Sequence, residues 1–382
     1  MRGIRINVDA ESQLSPRKRG GGALRGAVKA PVLNGHVVKS VLARDKSDKE
    51  PLVAFKTSHG KMYCGDSVEF MRSSLKDESV DLILTSPPFG LVRKKDYGNE
   101  DADLYLAWFE AFASQFRRIL RSSGSLVIDI GGAWKQGQPT RSLYHFELLV
   151  MLCRKFGFHL AQEFYWWNPS KLPSPAEWVN IRRVRVKDAV NCVWWLSKTP
   201  FPKASNRRVL QPYSESMRGL LKNGYNAKLR PSGHDISNKF QRDNGGAIPP
   251  NLIAIANTES NGAYQRFCRK HGLVEHPARF PPGLPAFFIR MLTDRGDTVF
   301  DPFSGSGVTA SVCEQMARTW IACELNPAYV AGSVGRFSST GTERPKGAKK
   351  SAPYQLPPPA FVLREDEAPL VLDGGAARPR KK

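Results

Sequence analysis

Apolar positions along the chain fall into two spacings. The short runs SVDLILT, SLVIDI, AVNCVWWLS, DTVFD and TWIAC are nearly uninterrupted and rich in β-branched residues, as expected of strands inside a sheet covered on both faces. KMYC, just before Gly65 and Asp66, and the aromatic run EFYWWN read as two further strands. Between them lie longer stretches with apolar residues every three or four positions: SVEFMRSSLK, LYLAWFEAFASQFRRIL, HFELLVMLCRKF and VTASVCEQMAR. In LPAFFIRMLTD, Leu284, Phe287, Phe288, Met291 and Leu292 fall on one helical face. The alternation of strands and helices predicts an α/β fold whose sheet has covered faces.

The pattern fails in three places, and these set the expected domain limits. Residues 1–50 carry a net charge of +6 and little periodicity, so a basic disordered arm is expected there. Residues 338–382 are Pro-rich and charged, and read as a disordered basic tail. Residues 169–268 loosen into Pro-, Arg- and Asn-rich sequence around the single clear strand AVNCVWWLS, which suggests an inserted recognition region between the halves 51–168 and 269–337. The chain as a whole carries 57 Lys and Arg against 35 Asp and Glu, a formal charge of +22, and the excess persists when arm and tail are set aside. A polyanionic partner, double-stranded DNA first, is the expectation.

Six cysteines with no C-x-x-C pair argue against a zinc cluster and against a disulfide framework, and point to a reducing compartment. His276 has no companion at ligand spacing, so no metal is expected. No apolar run approaches the roughly 18 residues of a spanning helix, and the first residues lack the apolar core of a signal peptide, so no membrane association is expected.

Two loops carry candidate chemistry. The segment Asp301-Pro302-Phe303-Ser304-Gly305-Ser306-Gly307 leaves a strand and enters a helix, where a glycine turn lets the backbone approach a cofactor. Glu324 ends the next strand, about 20 residues on, at the spacing of a ribose-binding carboxylate. The third glycine of a pyrophosphate-binding turn is missing, so a nucleoside cofactor without phosphates fits better. The second loop, Thr85-Ser86-Pro87-Pro88-Phe89-Gly90, follows a buried strand. Its two prolines stiffen it and offer carbonyls without N–H groups, which suits an amino group as guest, and Phe89 offers a face for a nucleobase.

Together the two loops resemble those of the amino-methylating DNA methyltransferases that use S-adenosylmethionine. The order, catalytic loop first, is similar to that of their permuted β group. The long stretches FYWWNPSKLPSPAEWVN, RVKDAVNCVWW, RPSGHDI, NGGAIPPNL and HPARFPPGLPAFFIRMLT most resemble the Pvu-type cytosine-N4 methyltransferases. The resemblance implies a Rossmann-like sheet with an inserted target-recognition domain, and a catalytic set Ser86, Pro87, Pro88 and Phe89. It implies a cofactor set of Asp66, His276, Pro277, Ala278, Arg279, Phe280, Asp301, Phe303, Ser304, Gly305, Ser306, Gly307 and Glu324. A bacterial cytoplasmic setting, a partner restriction endonuclease and the palindrome CAGCTG follow from the same resemblance. A palindrome offers the same half-site on each strand, so a monomer suffices.

Ser86 favours cytosine N4, where an Asp would favour adenine N6. Carbon-5 methylation calls for a Pro-Cys nucleophile, and no cysteine here follows a proline. The paired amino group is out of reach inside a duplex, so the base must be flipped. Arg182, Arg183, Arg185, Lys187, Arg207 and Arg208 suit phosphates and guanine edges, and His234 beside Asp235 suits a structural or DNA-contacting role. The rival from another class is a DNA-binding regulator that has lost catalysis.

Overall fold

The computed structural model describes residues 50–90, 104–224 and 242–337. Nine strands form one sheet: β1 (Leu52–Lys56), β2 (Gly60–Cys64), β3 (Val80–Thr85), β4 (Leu120–Ile130), β5 (His159–Trp167), β6 (Val190–Ser197), β7 (Leu252–Ala254), β8 (Thr298–Asp301) and β9 (Thr319–Glu324). Their order across the sheet is β1-β2-β9-β8-β3-β4-β6-β5-β7. Neighbours from β2 to β4 are parallel, whereas β1 and β6 run against their neighbours.

The central strand β3 shows why the sequence folds this way. VDLILT is buried at all positions but Asp81, because β8 and β4 flank it in parallel and helices cover both faces. Its alternate side chains enter different cores: Leu82 and Leu84 one, Ile83 the other. Helices α1 (Ser67–Ser74), α2 (Tyr105–Ile119) and α3 (Tyr144–Arg154) cover the Ile83 face, through Phe70, Met71, Phe109, Phe116 and Leu148. The other face is covered by α6 (Gly283–Leu292), α7 (Val308–Gln315) and α8 (Pro327–Ser333), through Leu284, Phe288, Ala310, Val312 and Val330. Among the described residues the remaining α-helices are α4 (Glu215–Asn223), which buries no residue, and α5 (Ala263–Lys270).

The chain leaves β3 toward one face and β8 toward the other, although the two strands are neighbours. This is a topological switch point, and it opens a crevice at the carboxyl ends of the strands.

Two expectations change. Residues 169–268 are not set apart from the sheet: β6 lies between β4 and β5, and β7 pairs with β5. The Pro- and Arg-rich composition that suggested an insert belongs to the connections, and the strands inside it are too short or too isolated to reveal a continuing sheet. In α6, Ile289 is fully buried and Phe287 only partly so, resting edge-on against Phe164 at 5.7 Å. The arm 1–50, except Glu50, and the tail 338–382 lie outside the described residues.

Phe300, fully buried on β8 and 5.9 Å from Phe70, joins the strand beside the switch point to α1. Phe300→Ala is expected to lower unfolding free energy by about 3–5 kcal/mol in denaturant titration, the usual cost of an aromatic cavity.

Candidate active site

A cleft of about 520 Å³ opens at the switch point, where the ends of β2, β3, β4, β8 and β9 converge. One wall is the stiff loop: Ser86, Pro87, Pro88 and Phe89 all line it. The Ser86 hydroxyl donates to Oδ2 of Asp129 at 3.1 Å, and the Asn191 amide donates to the same carboxylate's Oδ1, also at 3.1 Å. Asp129 is 5% exposed, and desolvation pushes its pKa up to about 6 against the hydrogen bonds of Asn191 and Ser86, so it is mainly ionised at pH 7. Lys171 also lines the cleft; burial pulls its pKa down, while Asp188 and Asp129 oppose that.

Phe89 holds its place by close fit. A Cβ on Gly131 would meet its ring at 2.6 Å, so only glycine lets the ring lie on that backbone. The Gly131 carbonyl in turn accepts from the Tyr144 hydroxyl.

The opposite wall is the glycine loop. Phe303, Ser304, Gly305 and Ser306 line the cleft. Gly305 takes φ 50°, and a Cβ there would meet His276 at 3.0 Å. Its N–H donates to Glu324 Oε2 at 2.8 Å, and the N–H of Asn326 donates to Oε1 at 2.8 Å. A loop built for phosphate would keep such N–H groups for its ligand. Here one of them is spent on a carboxylate that would itself repel a phosphate. The Ser304 hydroxyl is buried at the cleft with no partner. A lining with a carboxylate at Glu324, another at Asp66 and an orphaned hydroxyl suits ribose hydroxyls and a cationic group, which fits an adenosyl sulfonium and not a nucleotide.

Asp66 also caps α1, its Oδ1 accepting from the N–H groups of Val68 and Glu69 at 2.8 and 3.0 Å. His276, Pro277, Ala278, Arg279 and Phe280 form a third side of the cleft. The His276 ring meets Tyr329 edge-on at 4.4 Å, and its Nδ1 donates to the Ala278 carbonyl at 2.5 Å. Burial pulls its pKa down to about 4, which keeps the ring neutral at pH 7. Arg279 donates to the His276 carbonyl at 2.6 Å. Arg336 donates to the Ser306 carbonyl at 2.7 Å, and both guanidinium groups lie against the Tyr264 ring.

Several expected site residues stand elsewhere. Asp301 is buried beneath the loops and does not line the cleft; its Oδ1 accepts from the Thr85 hydroxyl at 2.7 Å and the Phe303 N–H at 3.2 Å. Gly307, at φ 73°, starts α7 behind the loop, packed against Ser333. Arg208 binds the Thr293 carbonyl and Asp294, before β8 begins, at the amino end of the parallel strands and opposite the cleft; Arg207 is exposed in the same short turn. The sequence could not show that this turn lies away from the cleft. His234 lies outside the described residues.

Arg182, Arg183, Arg185 and Lys187 belong to the connection 168–189 at the cleft rim, together with the cleft-lining Asn168, Lys171 and Ala189. Arg182 pairs with Glu177 and covers Trp178, Arg185 pairs with Asp188, and Lys187 donates to the carbonyls of Pro169 and Lys171. Arg183 is exposed. Among the cleft-lining polar residues that the sequence reading missed are Asp129, Asn191 and Lys171. The available signal was an acid inside the otherwise apolar strand SLVIDI, since an acid there needs a partner.

All six cysteines are free thiols. Among the described residues no group of three or more His, Cys, Asp or Glu lies where it could hold a metal ion, and no helix is long and apolar enough to cross a membrane.

A cofactor-type wall facing an amino-accepting wall across a switch-point cleft defines the class: an α/β group-transfer enzyme. The comparisons narrow it. The DNA methylase family model of the N6/N4 type matches residues 80–334, so the chain belongs to that family of DNA methyltransferases. It is 53% identical over 287 residues to the type II methyltransferase M.PvuII of Proteus hauseri, covering 74% of this chain and 85% of that one. It is 26% identical over 281 residues to the type II methyltransferase M.BamHI of Bacillus amyloliquefaciens, covering 71% of this chain and 56% of that one. The solved structure of PvuII DNA methyltransferase (cytosine-N4-specific) superposes with a TM-score of 0.61 at 46% identity, covering 74% of this chain and 88% of that one.

Thr85→Val is expected to destabilise the fold by about 1–3 kcal/mol, the cost of a lost hydrogen bond to a buried charged group. Burial raises the Asp301 pKa to about 6, so its carboxyl favours the folded state most below its unfolded value and loses that contribution as pH rises through about 6. The Thr85 bond supports the ionised form. The loss on denaturation should therefore be larger at pH 8 than at pH 5.

Proposed function

We propose that this protein transfers a methyl group from S-adenosylmethionine to the N4 amino group of cytosine at a defined site in duplex DNA, as the modification partner of a type II restriction endonuclease. The observation that carries the reading is the Ser86–Asp129 pair on the wall facing the Gly305–Glu324 pair. The relatives support cytosine N4 and the restriction setting by what they are. Asp66, Phe303, Ser304, Gly305, Ser306, Glu324 and the His276–Phe280 segment would hold the cofactor, with Asp301 and Gly307 supporting the loop from behind. When bound, S-adenosylmethionine supplies a methyl group activated by a sulfonium.

The protein's task is to make the acceptor nitrogen reactive. The lone pair of a cytosine amino group is delocalised into the ring, and hydrogen-bond acceptors for its N–H bonds draw the nitrogen toward tetrahedral geometry. Because the Ser86 hydroxyl gives its proton to Asp129, its lone pairs remain available to one N–H. The carbonyl of Ser86 or Pro87 takes the other. The nitrogen must lose a proton in the reaction; Ser86 accepts it while passing its own to Asp129, whose pKa near 6 suits that exchange. Phe89 stacks on the flipped base, on the bed that Gly131 leaves it.

Three measurements test the reading. After incubation with labelled cofactor and duplex DNA, nucleoside analysis should give N4-methylcytosine, with duplexes containing CAGCTG reacting tens-fold faster than single-base variants, since each wrong pair costs about 1–3 kcal/mol. N6-methyladenine as product would refute the cytosine assignment, and equal labelling of all duplexes would refute the site. Ser86→Ala should slow single-turnover transfer by at least ~10-fold while leaving cofactor affinity in place. The wild-type rate should fall as pH is lowered through about 6, where Asp129 becomes protonated, and Asp129→Asn should be slow at every pH and lack that limb.

A further inference from the structure

The connection 168–189 presents a combination that neither the catalytic nor the cofactor wall uses. It leaves β5 and returns to β6 at the cleft rim, and at its ends Asn168, Lys171 and Ala189 are part of the cleft itself. Yet its outer part exposes large apolar side chains: Val186 is 86% exposed, Leu172 79%, Ile181 70% and Val184 62%. In the run Ile181–Lys187, Val184 and Val186 alternate with the cations Arg183, Arg185 and Lys187.

The segment is braced. The N–H groups of Val184 and Arg185 both donate to the Trp178 carbonyl, at 2.9 and 3.2 Å, and that of Asp188 donates to Ser174 at 3.2 Å. The Lys187 ammonium ties it to the carbonyls of Pro169 and Lys171 on the other arm of the connection, while Arg141 and Arg185 share Asp188. A stiff rim element with an apolar edge, flanked by the exposed cations Arg182, Arg183 and Lys187, matches the chemistry of one occupant above all: a duplex whose phosphates meet those cations and whose stacked bases can receive the apolar side chains.

Resting on the proposed function, we infer that the Val184–Val186 edge is a wedge that enters the base stack beside the target cytosine and holds the space the flipped base leaves. Flipping exposes two stacked faces to water and leaves a paired base without its partner. A fixed apolar edge already positioned at the cleft rim covers those faces, and its own ordering is complete before DNA arrives. Val184 and Val186 are thus positioning residues, remote from the reacting atoms.

The test separates flipping from binding and from chemistry. Val184→Ser and Val186→Ser, both at exposed positions, are compared with wild type in single-turnover methylation of a duplex that the wild-type protein methylates. The same duplex with an abasic site opposite the target cytosine is the second substrate, since the base is there already unpaired. Each variant should be slowed roughly 10-fold on the paired duplex and return to within about 3-fold of wild type on the abasic one, because only the flipping step has become costly. With 2-aminopurine in place of the target base, the fluorescence rise on binding should shrink in the variants. Equal loss on both duplexes, or no loss on either, would overturn the wedge. A wild-type protein that labels neither duplex would bring down the methylation reading, and the wedge with it.

Discussion

The site depends first on the hydrogen bond between Thr85 and Asp301. It joins the last residues of two neighbouring strands that are 216 positions apart in the chain and send their loops to opposite faces of the sheet. A carboxyl buried at that point is costly unless it is paired. The pairing fixes where the Ser86–Phe89 loop and the glycine loop begin, and the Phe303 N–H on the same oxygen extends the constraint into the glycine loop.

Each wall then repeats one device, a carboxylate that tunes its neighbour. Asp129 draws the proton of the Ser86 hydroxyl and leaves the oxygen as an acceptor. Glu324 takes the Gly305 N–H, which turns a loop of phosphate-binding shape into one suited to hydroxyls and positive charge. Burial raises the pKa of both carboxylates, and in both the hydrogen bonds they accept oppose that rise.

Much of this was legible in the sequence. β3, β4, β6, β8 and β9 appear as apolar runs because they lie within the sheet, and β3, β8 and β9 lead into the loops that matter. The Ser86–Phe89 and Phe303–Ser306 segments could be placed from strand ends alone. What escaped depends on which residues meet across the sheet. Asp301 was expected among the cofactor residues because it begins the glycine loop, but its side chain is turned toward Thr85 and does not line the cleft. Arg208 was expected to contact DNA because it is basic, but Ser205 is fastened to the end of α6, and this puts Arg208 at the amino end of the strands, away from the cleft. β7 is three residues long and borrows its stability from β5, so no local pattern marks it.

The reversed strand β6 has a consequence for how such a protein can change. Because β5 and β6 are antiparallel neighbours, the chain between them departs and returns at the same end of the strands. Lengthening or rewriting that excursion leaves every strand in register, and the added closure entropy grows only with the logarithm of length. A parallel crossover in the same place would have to traverse a face, where each alteration disturbs a packed helix. The antiparallel turn therefore decouples the rim of the cleft from its floor, so the rim can change in length and sequence while the sheet below it stays under full structural constraint.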